Sequence, residues 1–456
     1  MMPSPSRILA GFVATALLAL ALLPSPAAAQ QPQVNLAITT AKKLRLAVPD
    51  FKIPAGAAAA TTTTLQQTFD GVLWNDLDQS GLVEMISKSF YPLQQPGTPA
   101  DLGGANLGAW SAAPTAAQRL VFGNVVVGNG TLQVEGYLYD VTQPAKPFVL
   151  GKRYTDQPTP AAARVMAHEF ADAIIAALGG GAGIAQSKIV FISERTGHKE
   201  VWIMDYDGAN QQQLTHLNSI CYSPRLSPDG TKLAFMTFAS GTPQIRILNL
   251  LTHRYEHFPH FAGTNSTPAW SPDGTKLAFA SSRTGDMEIY TINANGTGLH
   301  RLTYSRGVDI APVWNPKTGA QIAFESDRTG LPQIYMMDAD GTNQQRLTMS
   351  GYAVSPSWSP NGEMLAFSWR RTGGGEGNGG AYDVYLWTLA DRNYLQLTHN
   401  GERNDFPSWA PDGRHIVFAS GDGSHWQLFT ILADGTNPAK ITVGGGSNTM
   451  PNWSWH

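Results

Sequence analysis

The sequence predicts a mixed α/β domain at the N-terminal end, followed by an all-β propeller of six blades that the C-terminal strand closes. Three observations lead there. A tryptophan in the pattern P-x-W recurs at Trp270, Trp314, Trp358, Trp409 and Trp453, with Leu226 at the equivalent place in S-P-R-L-S-P-D-G; the spacings are 44, 44, 44, 51 and 44 residues. One four-stranded blade needs about 40 to 45 residues. The stretch before Gly183 lacks this period and mixes strand and helix patterns. Finally, the chain ends M-P-N-W-S-W-H with no second strand after its last P-x-W, while the first unit begins at its second strand, K-I-V-F-I-S (Lys188–Ser193), without a P-x-W. The tail is therefore the missing innermost strand of blade one, and pairing of the two ends closes the ring without an open edge.

In chain order, residues 1–29 read as a secretory signal peptide. Arg7 is the only charge before the apolar run Ile8–Leu23, Pro24 and Pro26 break that run, and Ala27-Ala28-Ala29 is a cleavage pattern ahead of Gln30. An uncleaved anchor is the competing reading, for which the run is short. Residues 30–43 form a connecting segment, and 44–183 the α/β domain. There, Leu44–Phe51 and Leu82–Ile86 read as strands, and Thr62–Leu77 as a helix with Leu65, Phe69, Val72 and Leu73 on one face. Arg119–Val127, Thr131–Asp140 and Pro147–Tyr154 form a meander whose first turn is Gly128-Asn129-Gly130. Ala161–Leu178 is a helix with an apolar stripe of Val165, Phe170, Ile174 and Leu178, stopped by the glycines of Gly179–Gly183.

Residues 184–456 form the propeller. Each unit runs P-x-W, then a turn such as S-P-D-G, in which Pro suits the second position and Gly accepts a φ that other residues resist. A strand ending L-A-F or similar follows, then an I-Y-like strand, an N-G or D-G turn, and a closing L-T. Six second strands are present, at Ile189–Phe191, Leu233–Phe235, Leu277–Phe279, Ile322–Phe324, Leu365–Phe367 and Ile416–Phe418, and six closers if Leu251-Thr252 is admitted. The loop Arg371–Gly380 accounts for the one longer unit.

Composition narrows the function. Glycine (46) and proline (30) favour turn-rich β structure, and a net charge of −3 offers no basic field for nucleic acid or an anionic membrane. Cys221 is the sole cysteine, so no intramolecular disulfide forms. No G-x-S-x-G is present, and G-G-S-N-T (Gly445–Thr449) lacks the closing glycine. His253, His257 and His260 read as a polar loop between blades two and three rather than a metal set. D-Y-D-G (Asp205–Gly208) and D-A-D-G (Asp338–Gly341) lack the later glutamate of a calcium loop and read as hairpin turns. His168 reads as helix–sheet packing or a surface contact, and the repeated tryptophans as core or channel wall. No catalytic residue, metal ligand or cofactor is expected.

The loops entering each innermost strand crowd around one channel mouth: Gly263–Thr267, Gly307–Ala311, Gly351–Ser355, Glu402–Phe406 and Gly446–Met450. They vary while the blades repeat, which makes the mouth the expected partner site. Glu402, Asp405 and Asp309 are their carboxylates, and no histidine accompanies them. A propeller enzyme or glycan-binding protein that uses the central channel is the alternative.

The chain resembles the TolB family of periplasmic Tol-Pal propeller proteins. Ala167–Ile184 followed by K-I-V-F-I-S is similar to that family's domain junction, Ser223–Ile245 to its second blade, and Ser326–Thr348 to its fourth. The resemblance implies a monomeric, non-enzymatic adaptor in the periplasm that supports outer-membrane integrity and constriction during division. It implies that a Pal-like peptidoglycan-associated lipoprotein meets the propeller face at Arg225, Asn265, Thr267, Asp309, Ile310, Tyr352, Asn404, Asp405, Asn448 and Thr449. It further implies that a TolA-like inner-membrane protein meets Val34, Asn35, Leu36 and Ile38, whose alternation suits strand addition; a disordered tail is the competing reading of that segment. Ser266-Thr267 are small where the family carries larger residues, and the loop Gln94–Leu107 is long and rich in glycine and proline.

Overall fold

The computed structural model describes residues 43–56, 59–103, 105–370 and 381–454. The signal peptide, Val34, Asn35, Leu36 and Ile38, and the loop Arg371–Gly380 lie outside the described residues.

In the N-terminal domain, β1 (Leu44–Ala47) leads through α1 (Ala60–Gln79) to β2 (Val83–Met85), a parallel neighbour. After α2 (Ala105–Ser111) come β3 (Arg119–Gly128), β4 (Thr131–Asp140) and β5 (Phe148–Asp156), and the sheet order is β2-β1-β3-β4-β5. Asn129 and Gly130 both take positive φ (51° and 75°), the left-handed pair that a tight hairpin needs. Alternation along β3 sends Val121 and Val125 beneath the long helices and Leu120 and Phe122 to the opposite face, beneath Trp110 of α2. The last helix, α3 (Pro160–Ala177), starts with Thr159 Oγ1 accepting Ala162 N at 3.1 Å. Phe170 lies directly over Gly136 of β4, where a Cβ would come within 2.5 Å of the ring.

The apolar stripe of α3 differs from the expectation. Val165 is 48% exposed, whereas Ala163, Met166, Ala167, Phe170, Ala171 and Ile174 are buried. At about 100° per residue, Val165 stands about 140° from Phe170. Small alanines, which carry little hydrophobic signal, make the close approach instead. His168 also differs: it is buried at the junction with the propeller.

The six blades each hold four strands. Asn448–Trp453 pairs antiparallel with Lys188–Ser193, placing Trp453 beside Ile189 and Asn448 beside Ser193. Trp453 Nε1 donates to Ser187 Oγ (2.7 Å) and Trp453 N to Ser408 Oγ (3.0 Å), so the closing strand is also tied to blade six. The L-T closers have a common use. Thr215, Thr303, Thr348, Thr398 and Thr442 each accept a third-strand N–H through Oγ1, at 2.8–3.0 Å. Leu251-Thr252 does not belong to that set. It lies in an exposed turn whose N–H groups donate to Asn249 Oδ1, ahead of the outer strand Arg254–Glu256. His257-Phe258 stands at the closer position, and Phe258 packs edge-on against Phe279. His253 likewise occupies that turn within blade two, at φ 54°, rather than the link to blade three.

Within each blade the first-to-second and third-to-outer turns point to one face, and the strand entries and second-to-third turns to the other. The N-terminal domain packs on the first face. Asp76 of α1 meets His168 Nδ1 of α3 at 2.7 Å and accepts Tyr206 O–H of blade one at 2.5 Å. Burial pushes the Asp76 carboxyl above its ordinary range, against these two hydrogen bonds. Arg164 pairs with Asp207 at 2.8 Å, and His415 Nε2 of blade six lies 2.8 Å from Gln79 O. Among the described residues, the N-terminal domain leaves the opposite face, with the strand entries, uncovered.

Candidate functional site

The innermost strands surround a channel cavity of about 590 Å³, whose wall includes Trp270, Trp314, Trp358, Trp409 and Trp453. Each innermost strand carries a register shift ahead of its P-x-W. The residue before the proline is left-handed in all six: Ser223, Thr267, Ala311, Ser355, Phe406 and Met450, at φ 47° to 58°. Such a residue costs about 1 kcal/mol or more, so a sixfold repeat signals a geometry that the surrounding ring enforces. Proline fits the bulge because its absent N–H breaks no ladder bond.

Side chains answer several of the bulge N–H groups, from the neighbouring blade or from the bulge's own strand. Thr267 Oγ1 accepts Ala311 N (3.1 Å), and Glu325 Oε1 accepts Ser355 N (2.5 Å). Asp405 Oδ1 accepts Phe406 N (2.7 Å) and Ser355 Oγ (3.1 Å). Burial, which outweighs the Ser355 hydrogen bond, raises the Glu325 carboxyl to about 8, with the nearby Asp405 adding to the shift. Burial also raises Asp405. Arg225 occupies the x position of P-x-W, a level that holds Ala269, Val313, Ser357, Ser408 and Asn452 in the other blades. Its Nη1 donates to Pro224 O at 2.9 Å, and burial lowers the guanidinium to about 10.

The residues expected at the mouth fall into two groups. Arg225, Thr267, Ile310 and Asp405 line the cavity, and Tyr352 and Thr449 lie half-buried beside it. Asn265, Asp309, Asn404 and Asn448 differ from the expectation of loop residues facing a partner. They hold the first or second position of the innermost strands, are at most 1% exposed, and each pairs with a serine of the second strand. Each is held by neighbours within the propeller. Asn265 bonds Gln244 and Ser281, Asp309 pairs with Arg328 at 2.7 Å, Asn404 bonds Asn400 at 2.7 Å, and Asn448 accepts Arg195 at 3.1 Å. They rivet the mouth from behind. An Asn or Asp spaced by the blade repeat looks alike from the sequence whether it faces in or out.

Two functional features escaped the sequence reading. Glu325 is an acid where the aligned second strands carry Ile192, Met236, Ala280, Ser368 and Ala419, a contrast readable within the repeat. Arg195 and Arg328, which hold Asn448 and Asp309, come from an R-T-G motif in the second-to-third turns that also recurs at Arg283. Among the described residues no helix is long and apolar enough to cross a membrane.

Comparison with known proteins agrees with this architecture. The model of the TolB beta propeller domain matches residues 176–454, and that of the TolB amino-terminal domain matches 32–146. Tol-Pal system protein TolB of Roseobacter denitrificans is 33% identical over 235 residues, covering 50% of each chain, and its Cereibacter sphaeroides counterpart is 35% identical over 232 residues, covering 48% and 49%. The chain spans about half the length of the curated relatives it matches. These relatives are named as Tol-Pal system proteins, not as enzymes. The crystal structure of TolB from Acinetobacter baumannii superposes with a TM-score of 0.74 at 25% identity, over 91% of this chain and 97% of that one. With matching domain models at both ends and the same two-part fold, the chain belongs to the TolB family.

Proposed function

We propose that this chain is a non-enzymatic periplasmic adaptor of a Tol-Pal system, with a signal peptide at 1–29, a partner-binding segment at 30–43, the α/β domain at 44–183 and the propeller at 184–456. A Pal-like lipoprotein docks on the open propeller face, touching Arg225, Thr267, Ile310, Tyr352, Asp405 and Thr449, while Asn265, Asp309, Asn404 and Asn448 hold that surface in shape. A TolA-like inner-membrane protein takes Val34, Asn35, Leu36 and Ile38. The bridge between the two supports outer-membrane integrity and its invagination during division.

The observation that carries this reading is where apolar surface is left uncovered. Tyr304 (72% exposed), Met349 (67%) and Val443 (72%), together with Ile220 and Val308, all lie in the segments that lead into innermost strands. They form an apolar rim around the mouth, on the face that the N-terminal domain leaves free. Exposed apolar side chains gathered on one face mark a protein interaction site. The cavity volume also falls within the range of small-molecule pockets, which is the second reading. A pull-down from solubilised envelopes with the mature chain separates the two. Recovery of a peptidoglycan-associated lipoprotein is the expected result; a bound small molecule or oligosaccharide without that lipoprotein overturns the adaptor.

A further inference from the structure

On the open face, two guanidiniums and three aromatic rings alternate across blades five and six. Arg370 ends the second strand of blade five and pairs in register with Tyr352. Its guanidinium lies 4.2 Å from the Tyr352 ring centre and 5.6 Å from that of Tyr382. Arg403, first in blade six, lies 4.8 Å over the same Tyr382 ring and 5.4 Å over Trp426. Asn404 N donates to Tyr382 O at 2.7 Å and so fixes the two blades against each other.

Two other arginines on this face are consumed internally, Arg328 by Asp309 and Arg195 by Ser193 and Asn448. Arg370 makes no hydrogen bond or ion pair among the described residues, and Arg403 reaches only Asp405, at 3.4 Å. Stacking occupies the faces of a guanidinium and leaves its in-plane N–H donors available for a carboxylate. We propose that the Tyr352–Arg370–Tyr382–Arg403–Trp426 ladder is a docking strip for an acidic protein segment, read by planar, charge-assisted contacts to its carboxylates. The inference rests on the reading of the open face as the partner face. A protein segment suits it better than a nucleic acid, because the neighbouring exposed Met349 adds apolar contact.

The test uses the mature chain and a fluorescein-labelled peptide of alternating Asp and Ser, with a Lys/Ser peptide and a single-stranded DNA as comparators, followed by fluorescence anisotropy at low salt. The Asp peptide binds the native chain, the comparators do not, and R370Q weakens binding roughly tenfold. R370K weakens it nearly as much, because an ammonium keeps the charge but loses the planar stack. K146A, an exposed lysine of the N-terminal domain on the other face, leaves binding unchanged, and melting curves confirm that each variant folds. Equal binding of the Asp and Lys peptides, preferred binding of the DNA, or native affinity in both Arg370 variants overturns the proposal. Repeating the envelope pull-down with R370Q separates the two levels. Lipoprotein captured equally by both proteins refutes the strip and leaves the adaptor standing. Asp-peptide binding that needs Arg370, without lipoprotein capture by the native chain, supports the strip and refutes that partner.

Discussion

Replacing Glu325 with glutamine should make the protein more stable at alkaline pH. The carboxyl sits in the channel wall, directly opposite Ile310 in register, and it accepts Ser355 N. Its ordinary value of 4.5 is raised to about 8, mainly by burial. An unfolded chain releases this proton near the ordinary value, whereas the folded chain holds it until the raised one. Between the two, the native state binds the extra proton, so stability falls as pH rises across that window and levels off above it. At about 1.4 kcal/mol per unit, the whole shift amounts to about 5 kcal/mol, of which about 2 to 3 kcal/mol is lost between about pH 6 and pH 9. Glutamine keeps the carbonyl that accepts Ser355 N and removes the titration. Urea midpoints of both proteins, taken at intervals across that range, measure the effect as a difference between matched chains. E325Q should overtake the native protein as pH rises, and the gap should widen until about pH 8. Parallel pH profiles would refute the reasoning, since they would mean the buried acid ionises in the folded state at no cost. Because Asp405 contributes to the shift, D405N should move the Glu325 step to lower pH.

Other outcomes follow from the same geometry. W453A removes a 2% exposed indole from the closing strand and should cost about 3 to 5 kcal/mol in urea denaturation. Y206F withdraws one of the hydrogen bonds that Asp76 accepts at the junction; it should cost about 1 to 3 kcal/mol and speed limited proteolysis at Gly179–Gly183. R328A leaves the fully buried Asp309 carboxylate without its cation and should cost about 3 to 5 kcal/mol, most of it recovered in the R328A/D309N double variant.

Much of the architecture was legible because a propeller writes itself repeatedly. The tryptophan spacing gave the blade length and the six second strands the blade count, and the unmatched P-N-W-S-W predicted that Trp453 would lie beside Ile189, as it does. Where a repeat unit departs from its neighbours, the reading failed. Blade two has no closing threonine, and Leu251-Thr252 mimicked one from an exposed turn. In α3, Val165 belongs to the expected stripe by its size, yet alanines face the core; apolar size in a sequence does not say which arc of a helix meets its partner.

The entry ends of the innermost strands were legible in the sequence, but the orientation of their side chains was not. Repeat spacing put Asn265, Asp309, Asn404 and Asn448 at those ends. Only the fold shows them turned inward, because a strand sends successive side chains to opposite sides and a bulge shifts that alternation by one.

By itself, the sequence determined the fold class, the number of blades and the interlocking of its ends. These follow from local periodicity and from a strand that has no partner nearby in the chain. The tertiary structure alone decided which face the N-terminal domain covers, the burial that holds Glu325 protonated, and the stacking of Arg370 and Arg403 between rings from two blades. Those depend on groups brought together from distant parts of the chain, where burial and neighbouring charge set the chemistry and linear spacing carries no record of either.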